Sequence, residues 1–188
     1  PLKFLKLGLE VKFYSWILIL GLGFISMPVV TQMLMGKPEL TEPFRLGLLG
    51  IGGSLLFSFV TSSIQAYQKY FSWTSLIIGT NLFRLLVIAI FLLYGGFTTQ
   101  NVLLTYILIP FLGFLIGMLL LPKFLTVSNE WEYKKEFFHY NKWIALVTLV
   151  SAVGSRLDVF LSAKFLSLAD VGVYSVAVQL NSFMPQIF

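Results

Sequence analysis

The sequence predicts an all-α protein, a polytopic bundle of about six transmembrane helices. Two observations predict this fold class. Of the 188 residues, 57% are hydrophobic and only 11% are charged, whereas soluble domains carry about 25% charged residues. The apolar residues also fall into runs of about 20, the length that a helix needs to cross a bilayer. The chain has no cysteine, which excludes disulfides and thiolate metal sites.

The first four spans are predicted at residues 14–34, 46–66, 71–94 and 102–121, and residues 1–121 would form the end of an N-terminal half-bundle. Residues 1–13 are expected to lead into the first span. Gly36, Pro38 and Pro43 predict that residues 35–45 form a loop.

Prolines and small residues mark features inside these spans. Pro28 and Pro110 are expected to kink the first and fourth helices. Small residues favour close helix packing, and two groups are present: Gly47, Gly50, Gly52, Gly53 and Ser54 in the second span, with Gly113 and Gly117 in the fourth.

Residues 122–142 are predicted to be a cytoplasmic linker with an amphipathic segment, because they form the one long polar stretch. Residues 143–188 would start a C-terminal half-bundle, with a fifth span at 143–163 and a sixth from residue 172. The chain begins at Pro1 and its last apolar run reaches Phe188, so we expect a piece of a longer protein.

The distribution of basic residues predicts which side faces the cytoplasm. One side carries three basic residues, Lys37, Arg45 and Lys164. The other side carries eight: Lys3, Lys6, Lys12, Lys69, Lys123, Lys134, Lys135 and Lys142. The positive-inside rule makes the second side cytoplasmic. The loops are too short for a soluble catalytic domain, so we expect no enzyme and a function carried out between helices.

Three charged residues lie inside predicted spans: Arg84, Arg156 and Asp158. Asn81 precedes Arg84 by three residues and shares its helix face. Arg156 and Asp158 point about 200° apart on a helix, so they need different partners. Asp158 also continues a stripe of small polar residues, Ser151, Gly154, Ser155 and Ser162.

Two interpretations of these charges stay open. In one, Arg84 and Asp158 form an ion pair that locks helices together. In the other, Arg84 attracts an anionic substrate in a cavity and Asp158 couples to a cation. The second interpretation is favoured because ionisable residues inside a membrane usually mark functional sites. Arg156, in the outer half of its span, has the length to reach the headgroups. No His/Asp/Glu cluster suggests a metal, and no basic patch with interleaved aromatics suggests nucleic acid.

Two segments carry a family resemblance. Residues 155–180 contain Asp158, an apolar stretch and the sequence GVYSVA from Gly172. They resemble the seventh-to-eighth helix segment of the polysaccharide biosynthesis (Wzx-type) flippases, in the multidrug/oligosaccharidyl-lipid/polysaccharide exporter superfamily. Residues 62–86, with Gln65 and Arg84, are similar to the fourth-to-fifth helix turn of the same family.

The resemblance implies a MATE-like fold, of which this chain covers helices three to eight. It implies a multi-pass protein of a bacterial or archaeal inner membrane that flips undecaprenyl-diphosphate-linked oligosaccharides by alternating access, for surface polysaccharides such as the O-antigen of lipopolysaccharide. The expected partners are the lipid-linked oligosaccharide, membrane lipids and polysaccharide assembly proteins. No cofactor is expected beyond a coupling ion, H⁺ or Na⁺.

The residues expected at the substrate cavity are Arg84, Asp158, Arg156 and Asn81. Cationic cavity residues would meet the diphosphate or acidic sugars of the lipid-linked oligosaccharide. Two alternatives are kept: a cation-coupled multidrug exporter of the same fold, and a membrane subunit that transports nothing.

Overall fold

The computed structural model describes residues 2–127, 131–154 and 157–183, which form helices and short turns and include no strand. A π-helical turn, Val30–Leu34, and a 3-10 turn, Pro38–Leu40, join the first two helices. The α-helices are α1 (Leu2–Val29), α2 (Thr41–Ala66), α3 (Tyr70–Leu93), α4 (Thr99–Leu120), α5 (Trp131–Gly154), α6 (Leu157–Phe165) and α7 (Leu168–Phe183). The predicted all-α class is confirmed.

In the part of the chain that the structure describes, four helical segments are long and apolar enough to cross a membrane: Leu2–Met33, Pro38–Ala66, Tyr70–Leu93 and Thr99–Leu120. They correspond to the first four predicted spans. Large apolar side chains cover their outer faces, as at Leu22, which is 63% exposed, and Leu119, which is 85% exposed. Apolar surface on this scale is stable in lipid and costly in water. The chain is therefore part of a transmembrane helical bundle.

The second part of the chain departs from the predicted boundaries. α5 begins at Trp131 and runs without a break past residue 143, so the amphipathic segment and the start of the predicted fifth span are one helix. Residues 155–156, in the predicted fifth span, lie outside the described residues, as do residues 184–188 of the sixth. The domain boundaries at 121/122 and 142/143 stay predictions.

α7 begins at Leu168, four residues before the predicted start of the sixth span. Ser167 provides the N-cap, because its hydroxyl accepts a hydrogen bond from the Asp170 backbone N–H at 3.2 Å. The same hydroxyl donates to the Asp170 carboxylate at 2.6 Å. A serine cap of this kind satisfies a backbone donor that the first helical turn leaves unpaired.

The prediction that residues 35–45 form a loop is wrong for its second half, because α2 already begins at Thr41. Pro43 lies in the first turn of α2, where backbone N–H groups have no partner within the helix, so proline costs no hydrogen bond there. The expected lead-in is also helical, since α1 begins at Leu2.

Pro28 lies next to a change in helix type, while the kinks predicted at Pro28 and Pro110 stay predictions. The α-helical pattern of α1 ends at Val29 and continues as the π-helical turn. Proline has no N–H to give to the preceding turn, so the helix lacks one backbone bond at Pro28. Here the fully buried Thr31 hydroxyl lies 3.0 Å from the Met27 carbonyl and 2.6 Å from the Thr41 hydroxyl. The turn is thereby tied to the start of α2.

Small residues allow α2 and α4 to pack closely at the centre of the bundle. A Cβ built on Gly53 of α2 would lie 2.9 Å from the Phe111 ring. On α4, a Cβ at Gly117 would overlap the side chain of Val60. The predicted packing role is confirmed for these glycines and wrong for Gly47, which has open space around it. α1 joins the pair through Trp16, whose ring lies 5.9 Å from Phe111.

The core lies at the end of the bundle where α2 turns into α3 and α4 ends. Phe124, from the segment after α4, is 1% exposed, and its ring lies 6.0 Å from Phe59. The cluster of buried side chains is Phe59, Val60, Ile64, Leu76, Leu121 and Phe124. This end of the bundle is therefore closed by side chains from α2, α3 and the segment after α4.

Lysine–carbonyl bonds place the two predicted sides at opposite ends of the bundle. Lys6 donates to the Val127 carbonyl at 2.7 Å, and Lys69 donates to Leu120 at 3.0 Å. All four residues belong to, or border, segments predicted to be cytoplasmic. Lys37, predicted on the other side, instead donates to carbonyls at the end of α6. The structure thus groups these lysines as the charge distribution predicts.

The turn between α2 and α3 offers a stability test. Gln68 has a φ of 59°, a left-handed conformation that costs a non-glycine residue about 1–2 kcal/mol. Its N–H donates to Gln65 at 2.8 Å, and the Lys69 N–H donates to Ile64 at 3.2 Å, the bonds of a Schellman motif. Gln68→Gly is expected to stabilise the protein by about 1 kcal/mol, measured by thermal unfolding in detergent.

The matched control for this turn is Gln65→Gly, which places glycine in the last turn of α2 instead of after it. It is expected to destabilise the protein by about 1 kcal/mol. Equal losses for the two variants would mean that the left-handed turn stores no strain.

Candidate functional site

Arg84 is the only charged residue of α3. It lies 14 residues after Tyr70 and nine before Leu93. At 1.5 Å per residue, these intervals correspond to about 21 Å and about 14 Å along the helix axis. The backbone of Arg84 therefore lies deep within an apolar span, where a charged side chain is costly unless another polar or charged group compensates it.

The surroundings of Arg84 hold its side chain in place without neutralising its charge. Its guanidinium carbon lies 4.7 Å from the ring centroid of Tyr106 on α4, a cation–π contact. Its Nη1 is 3.4 Å from the Asn81 side-chain oxygen, and its Nε is buried without a hydrogen-bond partner in the described part of the chain. Asn81 donates its amide to the Ile77 carbonyl at 3.0 Å, which turns its oxygen toward Arg84. The sequence prediction that Asn81 and Arg84 share a face is confirmed.

Arg45, on α2, has an acidic partner of a kind that Arg84 lacks among the described residues. Its guanidinium carbon also lies over an aromatic ring, 4.4 Å from the centroid of Phe24, and its Nε is also buried without a partner. Arg45 nevertheless forms an ion pair with Glu42 at 3.2 Å. Among the described residues, the structure forms no such pair for Arg84. An anion bound here would satisfy both the charge and the N–H of Nε.

Tyr106 is the site residue that sequence reasoning missed. It lies between apolar residues in the predicted fourth span, 22 positions after Arg84. Its polar aromatic ring was a signal, because aromatic faces attract arginine in proteins. The sequence alone did not show which face of the fourth helix meets the third, so the pair could not be predicted.

A crevice of about 440 Å³ lies between α2 and α4, next to this pair. Tyr106 forms part of its wall, and Gly47 and Ser54 form part of the opposite wall. Gly47 leaves open space where a side chain would stand, which keeps the crevice accessible. The lining residues lie between the middle of α2 and α4 and the ends nearest Thr41 and Thr99, the side predicted to face outward.

Asp158 lies apart from Arg84 in the described structure. It is exposed on α6 and accepts a hydrogen bond from the Tyr174 hydroxyl of α7 at 3.1 Å. Gly154, on the same predicted stripe, is exposed and has open space around it. Of the predicted site residues, Arg84 and Asn81 are together, and the described residues form no Arg84–Asp158 ion pair. Arg156 lies outside the described residues.

Comparison with known proteins identifies the family to which the chain is related. A family model described as "Polysaccharide biosynthesis protein" matches residues 11–188, which is nearly the whole sequence. The chain belongs to the polysaccharide biosynthesis protein family. Together with the four apolar helices, this membership makes it a membrane protein of a polysaccharide-synthesis family. No curated protein and no solved structure matches the chain significantly.

Within residues 2–127, 131–154 and 157–183 of this polysaccharide biosynthesis protein, no three His, Asp or Glu side chains form a group that could hold a metal ion. The expectations of no metal and of no cofactor beyond a coupling ion stay predictions. The polar chemistry at Arg84 is that of a guanidinium, an amide and a phenol, which suits anion binding.

Lys37 joins the two parts of this family member at the predicted outer side. Its ammonium group donates to the Ala163 carbonyl at 2.9 Å and to the Leu166 carbonyl at 2.7 Å. Cations stabilise the carboxyl end of a helix, where carbonyls lack partners. The contact holds the turn after α6 against the connection between α1 and α2.

Lys37→Met is expected to loosen the end of α6. Hydrogen bonds to charged groups contribute about 1.5–3 kcal/mol, and every 1.4 kcal/mol corresponds to about a tenfold change in an equilibrium. Amide hydrogen exchange of the peptide covering Leu166 should therefore quicken by about tenfold or more. The control is Lys164→Met, since the Lys164 ammonium rests 5.8 Å from the Phe165 ring. Equal exchange in both variants would contradict the proposed contact.

Proposed function

We propose that the protein flips undecaprenyl-diphosphate-linked oligosaccharides across the inner membrane of a bacterial or archaeal cell by alternating access. The product would serve surface polysaccharides such as the O-antigen of lipopolysaccharide. The observation that carries this proposal is the placement of Arg84 deep in an apolar helix, held by Tyr106 and Asn81 with no carboxylate partner among the described residues. The family membership supplies the polysaccharide context.

The free energies favour an anionic cargo at this position. Arginine at the centre of a membrane helix costs about 2.5–3.5 kcal/mol on insertion scales. The local packing does not require that cost, since the side chains that Arg84 contacts among the described residues are one ring and one amide. A diphosphate passing the membrane carries the opposite charge, and a guanidinium binds phosphate oxygens in a matching two-pronged geometry. Arg84 would thus lower the barrier for the part of the cargo that lipid repels most.

Asp158 has a different role in this proposal. Its carboxylate is exposed on α6 beside Tyr174, so it would be open to a coupling H⁺ or Na⁺. The same observation favours a second candidate function, a cation-coupled multidrug exporter of the same MATE-like fold. The two differ in the charge of the cargo, and Arg84 favours the flippase.

The test is a strain that lacks the gene. It is expected to accumulate lipid-linked oligosaccharide facing the cytoplasm, detected by its protection from an enzyme or label added outside the inner membrane. Expression of the full-length protein should restore outward exposure of the glycan and the surface polysaccharide. Unchanged lipid-linked oligosaccharide in the deletion strain would overturn the flippase proposal, and a simultaneous loss of resistance to cationic drugs would favour the exporter.

A further inference from the structure

A second cavity extends along α3 as far as Phe83, the residue before Arg84. It is a groove of about 520 Å³ between α3 and α4. We call it the α3/α4 groove; its lining residues include Phe71, Leu76, Gly79, Phe83, Ile109 and Leu120. The crevice described above borders the outer half of α4, whereas this groove borders the inner half. Arg84 lines neither cavity, but it directly follows Phe83 of the groove. Tyr106 of the crevice lies one helical turn before Ile109 of the groove.

The α3/α4 groove has the shape and chemistry of a channel for a hydrocarbon chain. From Phe71 to Phe83 it extends over 12 residues of α3, or about 18 Å at 1.5 Å per residue. Its lining surface is mostly apolar, with the hydroxyls of Ser72, Ser75 and Thr80 as the polar groups, and the buried Thr80 hydroxyl is already bonded to the Leu76 carbonyl at 2.7 Å. Gly79 has open space around it, so no side chain fills the groove there.

We propose that the α3/α4 groove binds the hydrocarbon chain of a lipid diphosphate whose diphosphate lies at Arg84. The headgroup beyond the diphosphate then enters the crevice between α2 and α4. In this pose the chain points toward the cytoplasmic side and the headgroup points outward. The inference rests on the proposed function and adds where the carrier lipid is held.

Charge complementarity selects this occupant. A phospholipid of the bilayer keeps its phosphate at the interface, and Arg84 lies about 14 Å along the helix from the nearer end of α3. The hydrocarbon chain of such a phospholipid would fill the groove but would leave the buried Nε of Arg84 without an acceptor. A protein helix in the groove would also leave Nε unpaired. Only an amphiphile whose anionic group lies at mid-span can fill the groove with its chain and pair with Arg84 at the same time.

The experiment uses photolabelling of the purified full-length protein. The probe is an isoprenoid diphosphate with a diazirine at the far end of its chain, and labelled peptides are mapped by mass spectrometry. Labelling is expected on the groove-lining parts of α3 and α4 near Phe71 and Leu120. Gly79→Leu places a side chain in the groove, starting from a Cβ with no atom within 4 Å, and should reduce this labelling by about tenfold. Arg84→Gln should reduce it similarly.

The matched control is Gly21→Leu, because Gly21 also has open space around it but lies on α1, away from the groove. It should leave labelling unchanged. A phosphatidylcholine probe with the same diazirine that labels the groove equally, and is not displaced by the isoprenoid diphosphate, would overturn the inference in favour of bulk lipid. If the protein restores transport but the groove is not labelled, the proposed lipid site is wrong and the flippase proposal stands. Groove labelling in a protein that restores no transport would support the lipid site and remove the flippase proposal.

Discussion

Replacing Gly117 by leucine is expected to disrupt the packing of α2 against α4. Even a Cβ at this position would overlap Val60 and would lie 2.9 Å from Leu76. Val60 is fully buried, so it has no free space into which it could move. Overpacking of a core commonly costs about 1–3 kcal/mol. Leucine adds three further carbons beyond Cβ, so the loss should reach or exceed the upper end of that range.

The measurement is the thermal unfolding midpoint and the monodisperse fraction of the protein in detergent. Gly117→Leu should lower both sharply. Gly21→Leu is the control, since it makes the same chemical change on α1 where no atom lies within 4 Å. Leucine has the better helix propensity by about 0.8–1 kcal/mol, so the control should be neutral or slightly stabilised. Equal behaviour of the two variants would contradict the close α2–α4 contact.

The contrast between these glycines shows what could be predicted from the sequence. Apolar run length predicted α1 to α4, because only a helix satisfies the backbone in lipid. Small residues predicted that helices approach closely at Gly53 and Gly117, and the structure confirms this. The sequence could not show which face of a helix meets a neighbour. Gly47, in the same patch as Gly53, therefore lines a crevice where packing had been predicted.

The candidate site was predictable in part for the same reason. A charge in an apolar run is visible from sequence, and helical spacing places Asn81 beside Arg84. The Tyr106 contact depends on how α3 packs against α4, so it required the structure. An Arg84–Asp158 pair was one of two open interpretations, and the described residues do not form it. The distance between side chains in the two halves of a bundle depends on how the helices pack, and helical spacing along the sequence does not predict it.

Arg84→Gln is expected to abolish transport of lipid-linked oligosaccharide while leaving the protein inserted and folded. Removing one partner of a buried hydrogen-bonded charge pair costs about 2–5 kcal/mol, and 1.4 kcal/mol corresponds to tenfold. Transport should therefore fall by about 30-fold or more. Arg84→Lys keeps the charge but loses the planar fork and part of the stacking on Tyr106, so it should retain an intermediate rate.

The matched control is Arg45→Gln, which removes an arginine that also lies over an aromatic ring and also has a buried Nε. Because Arg45 already has Glu42 as its partner, its loss should leave transport within about threefold of the wild type, since exposed ion pairs contribute about 0–1 kcal/mol. The readouts are outward exposure of the glycan, expression level and the thermal unfolding midpoint. Arg84 is costly in lipid, so glutamine at this position should insert at least as well. If Arg84→Gln instead lost insertion and kept the rate per folded molecule, Arg84 would be a structural residue and the flippase would need its anion site elsewhere.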